Sequence, residues 1–338
     1  SGTKDRSDKA MANREPASGK LAPEILEKTD LAYGGAKRDE VLVGPAVGED
    51  AAVIRWPAGK YLVVASDPIV GADRGAGRLL VVVNSNDIAS KGGDPAFLIS
   101  TLIFPKGSTP KEITSLVEEI HEACQEAGIA VVGGHTEIND RYDHPVLCAT
   151  MMGMAERVLS ARDIAPGDAV VMTKHVGIEG MCILANDRRE LLRRCLSDRE
   201  IDGILQWSDS MDVLPESRIL RKWAVFMHDP TEGGFLGGLG EVARLSGLGV
   251  SLDREAVTVD RLTLSCSECL GFDPLRLISS GVLVAVIPRR FLNEALGALE
   301  GSGIACSVIG EMVRGEGDVP VETKEELWGL LAEGRSLP

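Results

Sequence analysis

Between Pro95 and Gly134 the chain runs through a strand, a helix and a strand, and this order limits the possible folds more than any other stretch. "PAFLISTLIFP" is a nearly continuous apolar run closed by prolines, which suits a buried strand. Residues Pro110 to Ala127 then carry every local mark of a helix. Thr109 is the expected N-cap, Pro110 suits the first turn, and Glu112 completes a capping box. Ile113, Leu116, Val117, Ile120 and Cys124 recur at helical spacing, and Gly128 is placed to end the helix. "IAVVGG" returns to strand. Such an order calls for an α/β chain with helices laid across a sheet.

Other segments extend this reading. "LAPEILEK" is a short helix candidate, and "AAVIRWPAGKYLVVASD" reads as a hairpin turning at Pro57, Ala58 and Gly59. "GAGRLLVVVNSNDIASKGG" puts Ala76, Leu79, Leu80, Val83 and Asp87 on one helical face before a glycine pair. "PVLCATMMGMA" is a further strand, whose methionines serve packing. "ERVLSARDIAPGD" interrupts the apolar rhythm and marks the expected domain boundary. The organisation expected is an arm at 1–20, flexible and partly a cloning remnant, one domain at 21–157 and another at 158–338. The second half opens with the strand "AVVMTKHVG", a glycine turn and the helix "IEGMCILAND". Residues 187 to 222 are charged and lean to helix, with "NDRRELLRRCLSDRE" as a solvated face. "FLGGLGEVARLSG" places Phe235, Leu239, Val242 and Ser246 at helical spacing. "GVLVAVIP", "RRFLNEALGALEGSG" and "IACSVIGEMV" then read as a closing β-α-β unit.

Bulk properties exclude several classes. A chain of 338 residues with 44% hydrophobic content can bury a large core. Its net charge of −15 argues against nucleic acid as a partner, because phosphates need basic patches. No apolar run is long enough to span a bilayer, and the N-terminus shows no signal-peptide stretch. Seven scattered cysteines in a chain that needs no disulfide for its size point to a reducing, cytoplasmic setting. Cys266 and Cys269 have CxxC spacing, but no second pair offers a zinc ion its other ligands, so a structural role is expected. His121 is read as a helix-surface residue, and His135 as part of a "GGHTE" turn.

The chemistry is carried by acids in apolar settings. Asp50 begins a strand in "GPAVGEDAAVI", Asp67 follows "YLVVAS", Asp87 sits among apolar helix neighbours, and Glu137 follows "VVGGHT". A single Asp beside a strand is ordinarily a turn former or a cap. Four in similar settings point to a shared positive partner, since an unpaired buried charge is costly. A Mg²⁺ ion suits carboxylates and water, and it commonly arrives with a polyphosphate. The pairs Gly92–Gly93, Gly133–Gly134 and Gly233–Gly234 would let backbone N–H groups approach phosphate oxygens. Neither GxxxxGK[ST] nor GxGxxG is present. The residues alone therefore reach an acidic α/β enzyme that binds metal and phosphate.

Taken in order, "VGPAVGEDAAVI", "SDPIVGA", "NSNDIASKGGDP", "VVGGHTE", "GDAVVMTKHVGIEG" and "MHDPTEGGFLGGLGEVA" resemble the aminoimidazole-ribonucleotide (AIR) synthetase superfamily over residues 20 to 315. That group includes the purine-pathway synthetase, HypE, selenophosphate synthetase and thiamine-phosphate kinase. The chain looks most similar to the HypE-like, AIR synthase-related hydrogenase maturation factors.

The resemblance implies a two-domain PurM-like α/β (α+β) fold. Its N-terminal domains would pair in a homodimer around a β-barrel, its C-terminal domain would be an α/β sandwich, and ATP with Mg²⁺ would bind between domains. Carried over by motif, Asp50, Asp67, Asp87 and Glu137 hold the metal. Lys20, Asn84, Gly133, Gly134, Thr136, Thr173, Glu179, Asp229, Thr231, Gly233 and Gly234 bind the nucleotide, and Asp87, Lys174 and His228 serve catalysis. The implied reaction transfers the γ-phosphoryl group to an amide or carbonyl oxygen of a small-molecule or carrier-bound substrate, and a maturation protein is an implied partner. HypE carries its substrate on a C-terminal cysteine, whereas this sequence ends "AEGRSLP" and its last cysteine is Cys306; the expectation is HypE-like activation without that acceptor. Selenophosphate synthetase needs an early reactive cysteine, and none precedes Cys124. "GGHTEIND" departs from the "GGETAEMP" of the purine cyclo-ligase, which stays as the alternative enzyme. A nucleotide-binding partner without turnover is the alternative from another class.

Overall fold

The computed structural model of the chain describes residues 19–20, 25, 27–43, 53–70, 75–231, 233–320 and 323–332. Most of "LAPEILEK", the arm before Gly19, and Asp50 lie outside them. The chain divides into two compact units, one from residues 1–88 and 93–157, the other from residues 89–92 and 158–338. Among the described residues no helix is long and apolar enough to cross a membrane.

The first unit contains β1 (Gly19–Lys20), β2 (Val41–Val43), β3 (Val53–Ile54), β4 (Tyr61–Val70), α1 (Ala76–Ser90, whose last two residues belong to the second unit), β5 (Asp94–Pro105), α2 (Pro110–Ala127), β6 (Ala130–Asn139) and β7 (Val146–Ala155). Its main sheet has the order β1-β6-β5-β7-β4. Only the β5–β6 pair is parallel, joined by α2 as the crossover helix. One sheet face packs on both long helices. Leu80 and Ile88 of α1 and Ile113, Leu116 and Ile120 of α2 share a core with Leu98, Leu102, Leu147 and Met151.

The local signals of α2 act as expected. The Thr109 side chain accepts from the Glu112 N–H while the Thr109 N–H donates to the Glu112 carboxylate at 2.7 Å, and Gly128 closes the helix at φ 74°. An N-cap of this kind contributes about 1 kcal/mol.

Two expectations are corrected here. The hairpin does not form: β3 pairs with β2, and β4 pairs with β7 along all of its ten residues, Tyr61 to Val70. β7 matches β4 at every residue, from Tyr61 opposite Ala155 to Val70 opposite Val146. "GGHTE" is likewise strand rather than turn, since β6 passes straight through it. A Cβ on Gly134 would lie 2.4 Å from the Ser100 carbonyl oxygen. Glycine there admits close pairing with β5 just past the register shift at Leu98–Ile99.

The second unit contains β8 (Ala169–Thr173), α3 (Ile178–Asp187), α4 (Arg189–Leu192), α5 (Asp198–Leu205), α6 (Leu214–Leu220), β9 (Phe226–His228), α7 (Gly234–Ser246), β10 (Gly249–Leu252), α8 (Arg261–Leu270), β11 (Val284–Ile287), α9 (Leu292–Gly301), β12 (Cys306–Val313) and α10 (Leu327–Ala332). Its antiparallel sheet has the order β10-β12-β8-β11-β9 and is covered on both faces. Val170 and Met172 pack with Phe235, Leu239 and Val242, while Val171 on the other face packs with Leu220, Ala295 and Leu299. Strands covered on both sides read as apolar runs, as "VAVI" and the first four residues of "AVVMT" do. A third core gathers Leu192, Ile201, Ile204, Leu262 and Leu330 around α3.

The cysteine reading needs one correction. Cys195 and Cys269 form a disulfide across 74 residues of sequence. Cys266, one turn earlier on α8, faces the core as a free thiol, and burial pushes its pKa up to about 12. The CxxC spacing therefore separates its two sulfurs between core and surface.

Candidate functional site

The acids of the first unit fall into two groups, and the pleat of the sheet decides which. Asp67 stands opposite Ala149 in the β4–β7 ladder and alternates with Val63, Ala65 and Ile69, so it is on the helix-covered face. Asn84 of α1 clasps this point of the strand. Its Oδ1 accepts the Asp67 N–H at 2.9 Å, and its Nδ2 donates to the Asp67 carbonyl at 3.3 Å and to the Leu80 carbonyl at 2.9 Å. Asn84 is fully buried, and its amide is spent on backbone. It is a scaffold residue beside the site, not one reaching into it. Asp87 follows one helical turn later, on the same side of α1, and both Asp67 and Asp87 are half-buried.

Glu137 does not join them. Ile138 points into the helix-covered core, so the neighbouring Glu137, with His135 and Asn139, lies on the opposite face. Strands β5 and β7 also stand between β6 and β4, a separation of about 14 Å at ordinary strand spacing. The Glu137 carboxylate is engaged locally, by Asn139 Nδ2 at 2.9 Å and His135 Nε2 at 3.2 Å. The bond from Asn139, then that from His135, holds its carboxyl below the usual range. Lys20 stands opposite Glu137 in the β1–β6 ladder. Thr136 is buried on the core side, and the space around Gly133 is open. Among the described residues, no three His, Cys, Asp or Glu side chains gather as a metal site.

In the second unit, Thr173 and Lys174 leave β8 together. Lys174 is the one described residue other than glycine with left-handed φ, at 55°. Its ammonium reaches the Glu216 carboxylate, the Ser210 carbonyl and the Asp212 carbonyl, each at 2.7 Å. With its three donors used, Lys174 acts as an internal clasp. Thr173 Oγ1 accepts from the Leu283 N–H at 3.1 Å and lies 3.5 Å from Glu216. Burial pushes the Glu216 carboxyl above its ordinary range, with the Lys174 charge opposing that rise. The importance of Glu216 has no local signal, because its partner is in a different segment.

His228 ends β9, and its Nε2 lies 2.6 Å from Glu241 on α7. That bond holds the Glu241 carboxyl below the usual range. An acid in the apolar helix "FLGGLGEVA" was the one sequence sign of this pair. Buried Asp229 accepts from the Ser90 hydroxyl at 2.9 Å. Glu179, in the first turn of α3, accepts from the Ser280 hydroxyl. Burial raises its carboxyl pKa, and the negative neighbours Asp229 and Glu325 add to the rise.

The glycine pair of "DPTEGG" is not an open cradle. The Gly233 N–H donates to Glu325 at 2.8 Å, and the Gly234 N–H to the Thr231 carbonyl at 3.1 Å. Gly234 has φ 68°, and a Cβ there would lie 2.6 Å from Arg276 Cα. These glycines are required for backbone conformation and fit, while Thr231 is exposed.

Comparison with known proteins identifies the family. The family described as AIR synthase related protein, N-terminal domain, matches residues 48–155, and its C-terminal domain matches residues 165–322. Carbamoyl dehydratase HypE of Cupriavidus necator is 30% identical over 291 residues, covering 82% of this chain and 80% of the relative. Among solved structures, the hydrogenase maturation protein HypE in complex with ATP has a TM-score of 0.71 at 21% identity, covering 88% of both chains. Thiamine-monophosphate kinase from Stenotrophomonas maltophilia also has a TM-score of 0.71, at 20% identity, covering 84% of this chain and 93% of the other. The shared architecture is the two-domain PurM-like fold, and the chain belongs to the AIR synthase related family, on its HypE-like side.

Proposed function

We propose that the chain is an ATP- and Mg²⁺-dependent enzyme that transfers the γ-phosphoryl group to an amide or carbonyl oxygen. The observation that supports this most is the Asn84 clasp, which ties the Asp67 backbone to α1 one turn before Asp87. Asp67 and Asp87, both half-buried, are proposed to serve together as oxygen donors. Such a pair fits Mg²⁺, which is commonly held by one or two carboxylates and completes its shell with phosphate oxygens and water. Asp67 and Asp87 are the proposed holders, with Asp50, outside the described residues, as the third. Mg²⁺ supplies neutralisation of the triphosphate charge and of charge developing on the bridging oxygen.

The substrate proposed is a carboxamide, small or carrier-bound, on the likeness to a carbamoyl dehydratase. Its carbonyl oxygen bonds to the γ-phosphorus as the bond to ADP breaks. Loss of phosphate with that oxygen, and of two N–H protons, leaves a nitrile. His228, oriented by Glu241, is the proposed proton carrier. Lys174 is proposed to act through position, by fixing the turn after Thr173.

A second copy of the chain is the proposed partner of the other sheet face, where the cluster of Val41, Ile54, Trp56 and Phe97 leaves apolar residues exposed. Leu62, Val64 and Ile99 lie there, 53%, 54% and 38% exposed, and such an apolar face commonly marks an interface. The functional proposal is tested by phosphate release from Mg·ATP in wild type and Asp87→Asn. Turnover dependent on Mg²⁺ in wild type and lost in a folded variant is expected. Equal turnover in both would remove Asp87 from the site.

A further inference from the structure

The family match ends at residue 322, yet the segment that follows is tied to a loop nominated for the nucleotide. Gly233 is held on both sides by it: Thr323 Oγ1 donates to the Gly233 carbonyl at 2.7 Å, and the Gly233 N–H donates to Glu325 Oε2 at 2.8 Å. The other oxygen of Glu325 accepts from the Ile278 and Leu327 N–H groups, each at 3.0 Å. Glu325 is 7% exposed, so three N–H dipoles meet a desolvated carboxylate. Such charge-assisted bonds are strong and directional.

The segment is anchored at both ends of this contact. Glu326 pairs with Arg276, and its N–H donates to the Arg276 carbonyl at 3.0 Å. Leu327 and Leu330 are buried in the core around α3, and the Arg188 guanidinium donates to the Leu330 carbonyl at 3.0 Å.

We propose that residues 323–332 are a strap that fixes Gly233 at the entry to α7, and that Glu325 is its positioning residue. Its carboxylate takes the helix-entry N–H that a ligand anion would otherwise meet, and holds Gly233 at φ 88°. Asp229 and Thr231 are thereby presented in one arrangement. The second half of this inference, that the arrangement favours nucleotide binding, rests on the ATP reading.

Glu325→Gln tests it without changing volume. An amide has one acceptor oxygen, so either Gly233 or the Ile278–Leu327 pair must then face an NH₂ group. Hydrogen exchange would be measured on the full chain for peptides covering 226–236 and 169–173, with Val286→Ala as control. Glu325→Gln should speed exchange of the loop peptide at least ten-fold and leave the β8 peptide unchanged. Val286→Ala, in the strand between β8 and β9, should move both peptides together, as a loss of core packing would. Unchanged loop exchange in Glu325→Gln, or change only in step with β8, overturns the strap. In the same variant the KM for Mg·ATP should rise threefold or more while kcat stays within twofold. A loosened loop with unchanged KM overturns the positioning role. Should wild type not turn over ATP, the ATP reading fails, and the exchange result alone decides the strap.

Discussion

Lys174 and Glu216 make the sharpest energetic prediction in the molecule. Their side chains are 19% and 2% exposed and the ions are 2.7 Å apart. Replacing Lys174 with Met keeps most of the packing but leaves the Glu216 carboxylate buried with only neutral partners. Breaking a buried pair in this way costs about 3–5 kcal/mol. The cost is bounded by protonation, since each unit of pKa rise is about 1.4 kcal/mol and burial already raises this carboxyl. The sign follows from that rise. A carboxyl whose folded pKa lies above its unfolded one has its stability in full below the unfolded pKa, and loses it as pH rises through the folded value. Lys174→Met should therefore be close to wild type near pH 4 and fall behind it steadily towards pH 7. Removing both charges, in Lys174→Met with Glu216→Leu, should recover most of the loss, because apolar replacement of a whole buried pair is often neutral. Denaturant unfolding of wild type, both single variants and the double variant closes the cycle. A single variant within 1 kcal/mol of wild type at pH 7, or a double variant no better than it, would refute the clasp.

Two further outcomes follow from the same geometry. Glu179 is buried with a raised carboxyl pKa, so Glu179→Gln, which mimics the protonated form, should gain on wild type as pH rises above the ordinary carboxylate range; parallel stability curves between pH 4 and 8 would contradict this. Leu62→Glu with Val64→Glu changes only exposed positions of the sheet face proposed for a second copy, and should convert a dimer to a folded monomer by light scattering; an unchanged mass would place the interface elsewhere.

What could be read from residues alone was what is local. Thr109, Pro110, Glu112 and Gly128 lie next to the backbone groups they serve, so α2 is legible to its ends. The β3–β4 hairpin misled because the true partner of Tyr61 is Ala155, beyond two helices and two strands. Asp67, Asp87 and Glu137 look alike as acids beside apolar runs. Only strand order and the two-residue pleat separate Glu137 from the others. Gly233 suggested a phosphate cradle because glycine exposes its amide, yet the acceptor of that amide, Glu325, is 92 residues away. The Cys195–Cys269 bond spans 74 residues and left no local mark.

The proposed transfer of the γ-phosphoryl group of ATP to a carboxamide oxygen can be followed directly with an oxygen label. With Mg·ATP and S-carbamoyl-N-acetylcysteine carrying ¹⁸O in its carbamoyl carbonyl, the label should appear in inorganic phosphate, one atom per thiocyanate formed. Unlabelled phosphate, its added oxygen drawn from water, would contradict it.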